Sequence, residues 1–243
     1  MMRCMVLSES ISDKSLLSWN KINFSLKIQN IVSPFTDDVI GGEILIDFND
    51  EITSEFMSYD SSNIYFMNGS ALEYTLSYLY NQTYSLLNGR KIFVNVERMN
   101  LCNSIVLRKI LSLSRKMSQG YNIELIIETT ERNVCGACPR ILTGLDFLRD
   151  KKISLAMDDY NIYNGDFRCN EINSGFYNYI KLEAPQTKHE INVLNKFIKS
   201  THQNIIIEKI EDKDILERID MKNVYGLQGY AFDYGKVITS SNM

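Results

Sequence analysis

Two carboxylates, Asp158 and Asp159, stand side by side directly after the apolar run 153–157. Adjacent charges at the end of a buried segment need a positive partner, because a buried charge without one costs several kcal/mol. Similar residues recur on or just after other apolar runs. Glu43 lies within VIGGEILIDF, Asn95 near the end of KIFVNV, and Glu128 closes IELIIE. Lys181 is within YIKLE, Glu208 and Glu211 flank the end of NIIIEKI, and Gln228 is in VYGLQGY. Carboxylates and an amide are hard oxygen donors that suit Mg²⁺ or Mn²⁺. Two such ions about 3.5–4 Å apart, bridged by carboxylates, form an arrangement used for phosphodiester cleavage. The expected partner of Asp158 and Asp159 is therefore a divalent metal. Taken singly, an acidic residue at a strand end is more often a helix cap or a solvated loop residue; the recurrence on successive strands carries the reading.

Bringing these residues together requires a particular architecture. Strand patterns occupy 23–32, 39–48, 91–96, 123–128, 153–158, 179–183, 204–210 and 224–232. Helix patterns occupy 71–86, 104–117, 141–148, 190–199 and 215–219. In IVLRKILSLSRKM, Ile105, Leu107, Ile110, Leu111 and Leu113 mostly follow the i, i+3/i+4 spacing of an amphipathic helix. Strands alternating with helices imply a parallel sheet with helical crossovers. About eight strands in 243 residues fit a (β/α)8 TIM-like barrel, whose strand C-terminal ends converge on one rim. Only SPFTDD separates the first two strands, too short for a crossover, so an antiparallel strand pair opens the barrel. One domain spanning 1–243 is expected, with a core of about 22–236, since no Pro/Gly/Ser-rich linker interrupts the chain.

The net charge of −4 and pI near 5.4 argue against duplex nucleic acid as a partner, which needs a basic face. No apolar run approaches the ~18 residues of a membrane span, and the N-terminal stretch lacks a signal-peptide pattern. Five cysteines fit a reducing compartment, so a soluble cytoplasmic protein without a membrane partner is expected. Cys135 and Cys138 form a lone C-x-x-C with no second ligand pair, which reads as a loop with free thiols. His189 and His202 read as surface residues. Trp19 reads as ordinary packing.

In order and spacing, these segments resemble the EAL-domain phosphodiesterases that cleave cyclic di-GMP. IQNIVSPFTDDVIGGEILIDF is similar to the family's opening, with Glu43-Ile44-Leu45 as its signature tripeptide. IFVNVERMNL, ELIIETTE, LAMDDYN, YIKLE, IIEKIED and LQGYAF resemble the N-x-S, L-x-L-E-x-T-E, L-A-L-D-D-F-G, Y-I-K-I-D, A-E-G-V-E-T and Q-G-Y-x-F segments. The resemblance runs from about Phe24 to Phe232. It implies that Glu43, Asn95, Glu128, Asp158, Asp159 and Glu208 hold two Mg²⁺ or Mn²⁺ ions. It makes Glu208, Lys181 and Glu43 the catalytic set, with Glu208 as ligand or base and Lys181 orienting the attacking water. Gln29, Leu45, Gln228, Glu131, Glu183 and Glu211 take substrate-binding or supporting places. The implied reaction opens cyclic di-GMP to linear pGpG, lowering a messenger that controls motility and biofilm. A homodimer is the implied assembly.

Three departures from the family pattern stand out. Asp47 stands where an Arg commonly contacts substrate phosphate, a reversal of charge. The F-G-T-G-Y-S-S-L loop is replaced by residues 160–167, with Asn161 and Tyr163 in place of glycines. Tyr adopts the left-handed backbone poorly. Lys209 replaces the Gly of E-G-V-E, and Glu183 replaces the Asp of K-x-D. Asp47 and the altered loop favour a non-catalytic regulator acting on a protein partner such as a transcription regulator; a receptor that binds cyclic di-GMP without cutting it is a third option. The intact ligand set favours the enzyme.

Overall fold

The computed structural model describes residues 24–48, 69–81, 89–130 and 138–238. Its strands are β1 (Phe24–Val32), β2 (Val39–Phe48), β3 (Lys91–Val96), β4 (Glu124–Thr129), β5 (Ser154–Met157), β6 (Tyr179–Glu183), β7 (Asn204–Glu208), β8 (Val224–Leu227) and β9 (Lys236–Val237). Strands β2 to β8 pair in sequence and in parallel, and β1 closes the ring by pairing antiparallel with both β2 and β8. This is the expected eight-stranded (β/α)8 barrel with an antiparallel opening pair. Short β9 adds to β1 outside the ring.

The helices are α1 (Ser70–Asn81), α2 (Ser104–Tyr121), α3 (Pro139–Asp150), α4 (Cys169–Asn173) and α5 (Lys188–Ser200), with 3₁₀ turns at Arg98–Cys102 and Lys213–Arg218. Local chemistry sets their ends. Asn103 caps the start of α2 by accepting from the Ile105 amide, and Asn122 ends it in the left-handed conformation. Thr187 and Glu190 form a reciprocal capping box at the start of α5. Gly144 allows α3 to press against the backbone of Leu101, where any Cβ would overlap the carbonyl.

Strand periodicity decides what faces inward. Ile31, Phe93, Ile126, Ala156, Tyr179 and Ile206 form one buried layer within the ring. Two residues further along their parallel strands lie Asn95, Glu128, Asp158, Lys181 and Glu208, on the same face and nearer the C-terminal rim. Gly41 and Gly226 precede Glu43 and Gln228 by the same two residues. A Cβ on Gly226 would sit 2.5 Å from Ile31 Cγ2, so the missing side chain makes room for Ile31. The apolar layer is thus a floor, and a polar layer rests on it.

Several boundaries differ from expectation. The strand expected over 224–232 ends at Leu227, because Gly229 (φ +149°) turns the chain and Ala231 N–H donates to the Ile210 carbonyl at 2.9 Å. The helix expected over 215–219 is the 3₁₀ turn Lys213–Arg218. Helix 71–86 is seen as far as Asn81, and residues 82–88, Glu131 and Cys135 lie outside the described residues. His189 and His202 are exposed. No described helix is long and apolar enough to cross a membrane.

Candidate active site

Lys181 is the hub of the rim. Its side chain, 1% exposed, rises from the middle of β6 into a ring of four carboxylates. Its ammonium nitrogen lies 2.9 Å from Glu43 Oε2, 2.8 Å from Glu128 Oε1, 3.2 Å from Asp158 Oδ1 and 2.9 Å from Glu208 Oε2. The expectation that metal alone partners the two aspartates is therefore incomplete: Asp158 also has an internal cation.

Two amides brace Glu43. Asn95 Nδ2 donates to Glu43 Oε1 at 2.6 Å, and Gln228 Nε2 donates to Oε2 at 2.9 Å. Gln228 also donates to Gln29 Oε1 at 3.0 Å, and Gln29 in turn donates to the Asp233 carbonyl. Burial pushes the Glu43 carboxyl up, yet Lys181, Gln228 and Asn95 together hold it below its ordinary range. Glu128 and Glu208 go the other way. Burial and neighbouring carboxylates raise both well above the ordinary value, against the pull of Lys181. Burial likewise raises Asp158. Burial disfavours the charge on Lys181, but the carboxylates around it keep the ammonium protonated far into the alkaline range.

The donor set fits divalent metal. One oxygen from each of Asp158, Asp159 and Glu208 lies within 4.8 Å of the others. Glu128 Oε2, Glu208 Oε1 and Asn95 Oδ1 are buried and meet no hydrogen-bond donor among the described residues. Buried acceptor oxygens left over after Lys181 is satisfied are hard donors of the kind that suit a divalent cation. Asp158, Asp159 and Glu208 border a cavity of about 410 Å³, also lined by Gln29, Leu45, Glu211 and Tyr230. Glu183 stands apart on the exposed rim, paired with Lys209.

The altered loop is rebuilt rather than strained. Neither Asn161 nor Tyr163 adopts positive φ; the left-handed residues are Asp159 (φ 42°) and Gly165 (φ +87°). Asn161 Oδ1 accepts from the amides of Tyr163 at 3.0 Å and Asn164 at 2.8 Å, and Tyr163 Oη donates to the Glu183 carbonyl at 3.1 Å. The expected difficulty of a left-handed Tyr therefore does not arise.

One buried residue behind the site has no counterpart among the residues expected from sequence. Arg168, fully sealed from solvent, donates to the carbonyls of Thr129 (3.3 Å), Asp158 (2.8 Å) and Asp159 (3.2 Å). Asp166 holds its guanidinium from the other side at 2.9 and 2.6 Å. Arg168 thereby fixes the backbone of both aspartates, including the left-handed Asp159. Its only sequence signal is an arginine nine residues after the pair, and an isolated arginine reads by default as surface. A second buried pair, Arg98 with Glu171, joins through Tyr177 to Thr129.

No family model and no curated protein matches the sequence. Solved structures do match. The EAL enzyme Bd1971 in its cGMP-bound form superposes with a TM-score of 0.71 at 14% identity, covering 94% of this chain and 68% of that one. An EAL-domain protein from Listeria monocytogenes gives 0.69 at 18% identity, covering 94% and 95%. The manganese/cy-diGMP complex of Klebsiella pneumoniae BlrP1 gives 0.61 at 17%, covering 88% of this chain and 56% of that one. With its barrel closed by one antiparallel strand and its carboxylates on the C-terminal rim, the chain has the fold of the EAL-domain proteins.

Proposed function

We propose that the chain is a divergent member of the EAL family that hydrolyses cyclic di-GMP to linear pGpG with Mg²⁺ or Mn²⁺. The observation that carries this reading is the set of buried, donor-less oxygens on Glu128, Glu208 and Asn95 beside Asp158 and Asp159. Glu43, Asn95, Glu128, Asp158, Asp159 and Glu208 are the residues that would hold the ions. The bound ions would acidify the attacking water and neutralise charge on the phosphoryl oxygens.

The chain's own groups do the rest. Glu208 lies at the cavity, where it takes the proton of the attacking water as base. Lys181, protonated throughout, sets the positions of Glu43, Glu128, Asp158 and Glu208 and so orients the groups that receive the attacking water. Water oxygen bonds to phosphorus as one phosphodiester P–O3′ bond breaks, and the released 3′ oxygen takes up a proton. The product is the linear dinucleotide, and the cellular consequence is less messenger and a bias toward motility.

A receptor that binds cyclic di-GMP without cleaving it is the second reading, favoured by the ion pair that Lys209 makes with Asp159. The test incubates purified protein with cyclic di-GMP and Mg²⁺ or Mn²⁺ and follows pGpG by chromatography, with Glu43→Ala and Lys181→Ala alongside. Product from the native protein alone supports the enzyme. Binding without product supports the receptor. Neither binding nor product removes both and leaves the protein-partner regulator.

A further inference from the structure

Lys209 follows Glu208 directly and adopts a left-handed backbone (φ 57°), a conformation that costs a non-glycine residue roughly 1–2 kcal/mol. That backbone turns its side chain across the rim. The ammonium lies 2.9 Å from Asp159 Oδ1 and also pairs with Glu183. Asp159 Oδ1 is itself buried and meets no other donor among the described residues. Lys209 thus covers an oxygen of one member of the three-carboxylate group.

The position of the ammonium gives this contact a consequence. Ion binding requires Glu43, Glu128, Asp158, Asp159 and Glu208 ionised, and Lys181 serves four of these while Lys209 is shared between Asp159 and Glu183. An ion held by Asp158 and Glu208 avoids Lys209. An ion held through Asp159 meets a like charge 2.9 Å from one of its own ligand oxygens.

Resting on the metal-dependent reading above, we propose that Lys209 is a tethered cation standing in for one divalent ion at Asp159. The native site then takes one ion tightly, and a second enters only by displacing Lys209. Occupancy of the second position becomes conditional on whatever draws Lys209 away, and an anionic phosphate in the cavity has the chemistry to do so.

The test is calorimetric titration of metal-free protein with MnCl₂. Native protein and Lys209→Arg should each bind one Mn²⁺ tightly, with any second ion weaker by about tenfold or more. Lys209→Gln and Lys209→Gly should bind two ions of comparable affinity. Lys209→Gly also relieves the left-handed backbone, so agreement between these variants separates charge from strain. Equal stoichiometry and affinity in native protein and Lys209→Gln would overturn the proposal while leaving the metal site standing. Loss of the native pattern in Lys209→Arg would overturn it too, since charge would then not be the cause. Absence of Mn²⁺ binding in every form would overturn both this inference and the reading it rests on.

Discussion

Lys181 Nζ lies 2.8 Å from Glu128 Oε1, and neither side chain reaches solvent. Three more carboxylates, from Glu43, Asp158 and Glu208, stand within 3.2 Å of the same nitrogen. One ammonium therefore keeps four acids folded together. Removing one partner of a buried pair costs about 3–5 kcal/mol, so metal-free Lys181→Met should lose stability of that order in urea unfolding. Mn²⁺ should restore part of it, because the ion supplies the missing charge. An unchanged midpoint would mean that the acids simply take up protons instead.

The pH dependence of the metal-free protein has a definite sign. Glu128 and Glu208 are held well above their ordinary value of 4.5. A group with a raised folded pKa contributes stability below its unfolded value and loses it as pH rises through the folded one. Glu43 and Asp159 are lowered, so their contributions vanish on acidification, below the ordinary carboxylate range. In EDTA the melting temperature should therefore fall as pH climbs above the ordinary carboxylate range. Glu128→Gln should flatten that slope. A melting temperature that rises there would show both glutamates ionised in the folded protein.

Arg168 should matter to the metal site without touching it. Arg168→Gln breaks a buried ion pair, at a cost of about 3–5 kcal/mol, and frees the carbonyls of Asp158 and Asp159. Because the aspartates then lose their fixed backbone, Mn²⁺ affinity should drop about 10- to 100-fold. Asp166→Asn should act through the same network, so the double variant should lose less than the sum of the singles. Additive losses would show that the two residues act independently.

Gly229 is a backbone constraint on Gln228. It sits at φ +149°, and a Cβ there would overlap the backbone of Ile210. Gly229→Ala should destabilise by about 1–3 kcal/mol and pull Gln228 away from Glu43. A crystal structure of the variant with Gln228 still on Glu43 would refute this account.

Much of the site is legible in the chain because barrel strands alternate. Phe93 and Asn95, Ile126 and Glu128, Tyr179 and Lys181, and Ile206 and Glu208 each stand two residues apart. Period-two geometry alone places each pair on one face, apolar below and polar above. The crossover helices follow from their own periodicity and caps in the same way. The end of β8 was less legible, since Val224 to Phe232 reads as strand and the turn depends on Gly229 meeting Ile210 from another loop.

What the linear order determined is therefore the barrel and the identity of the residues on its rim, because those depend on local spacing. Who pairs with whom was decided only in three dimensions. Lys181 is separated from Glu43 by 138 positions, and no local rule says that one ammonium serves four acids. Arg168 reads as a surface arginine until folding seals it behind Asp158 and Asp159. Lys209 reads as a bulky replacement beside Glu208 until its left-handed backbone carries the charge to Asp159. Electrostatic partners are set by distance and burial, and neither exists until the chain closes into the ring.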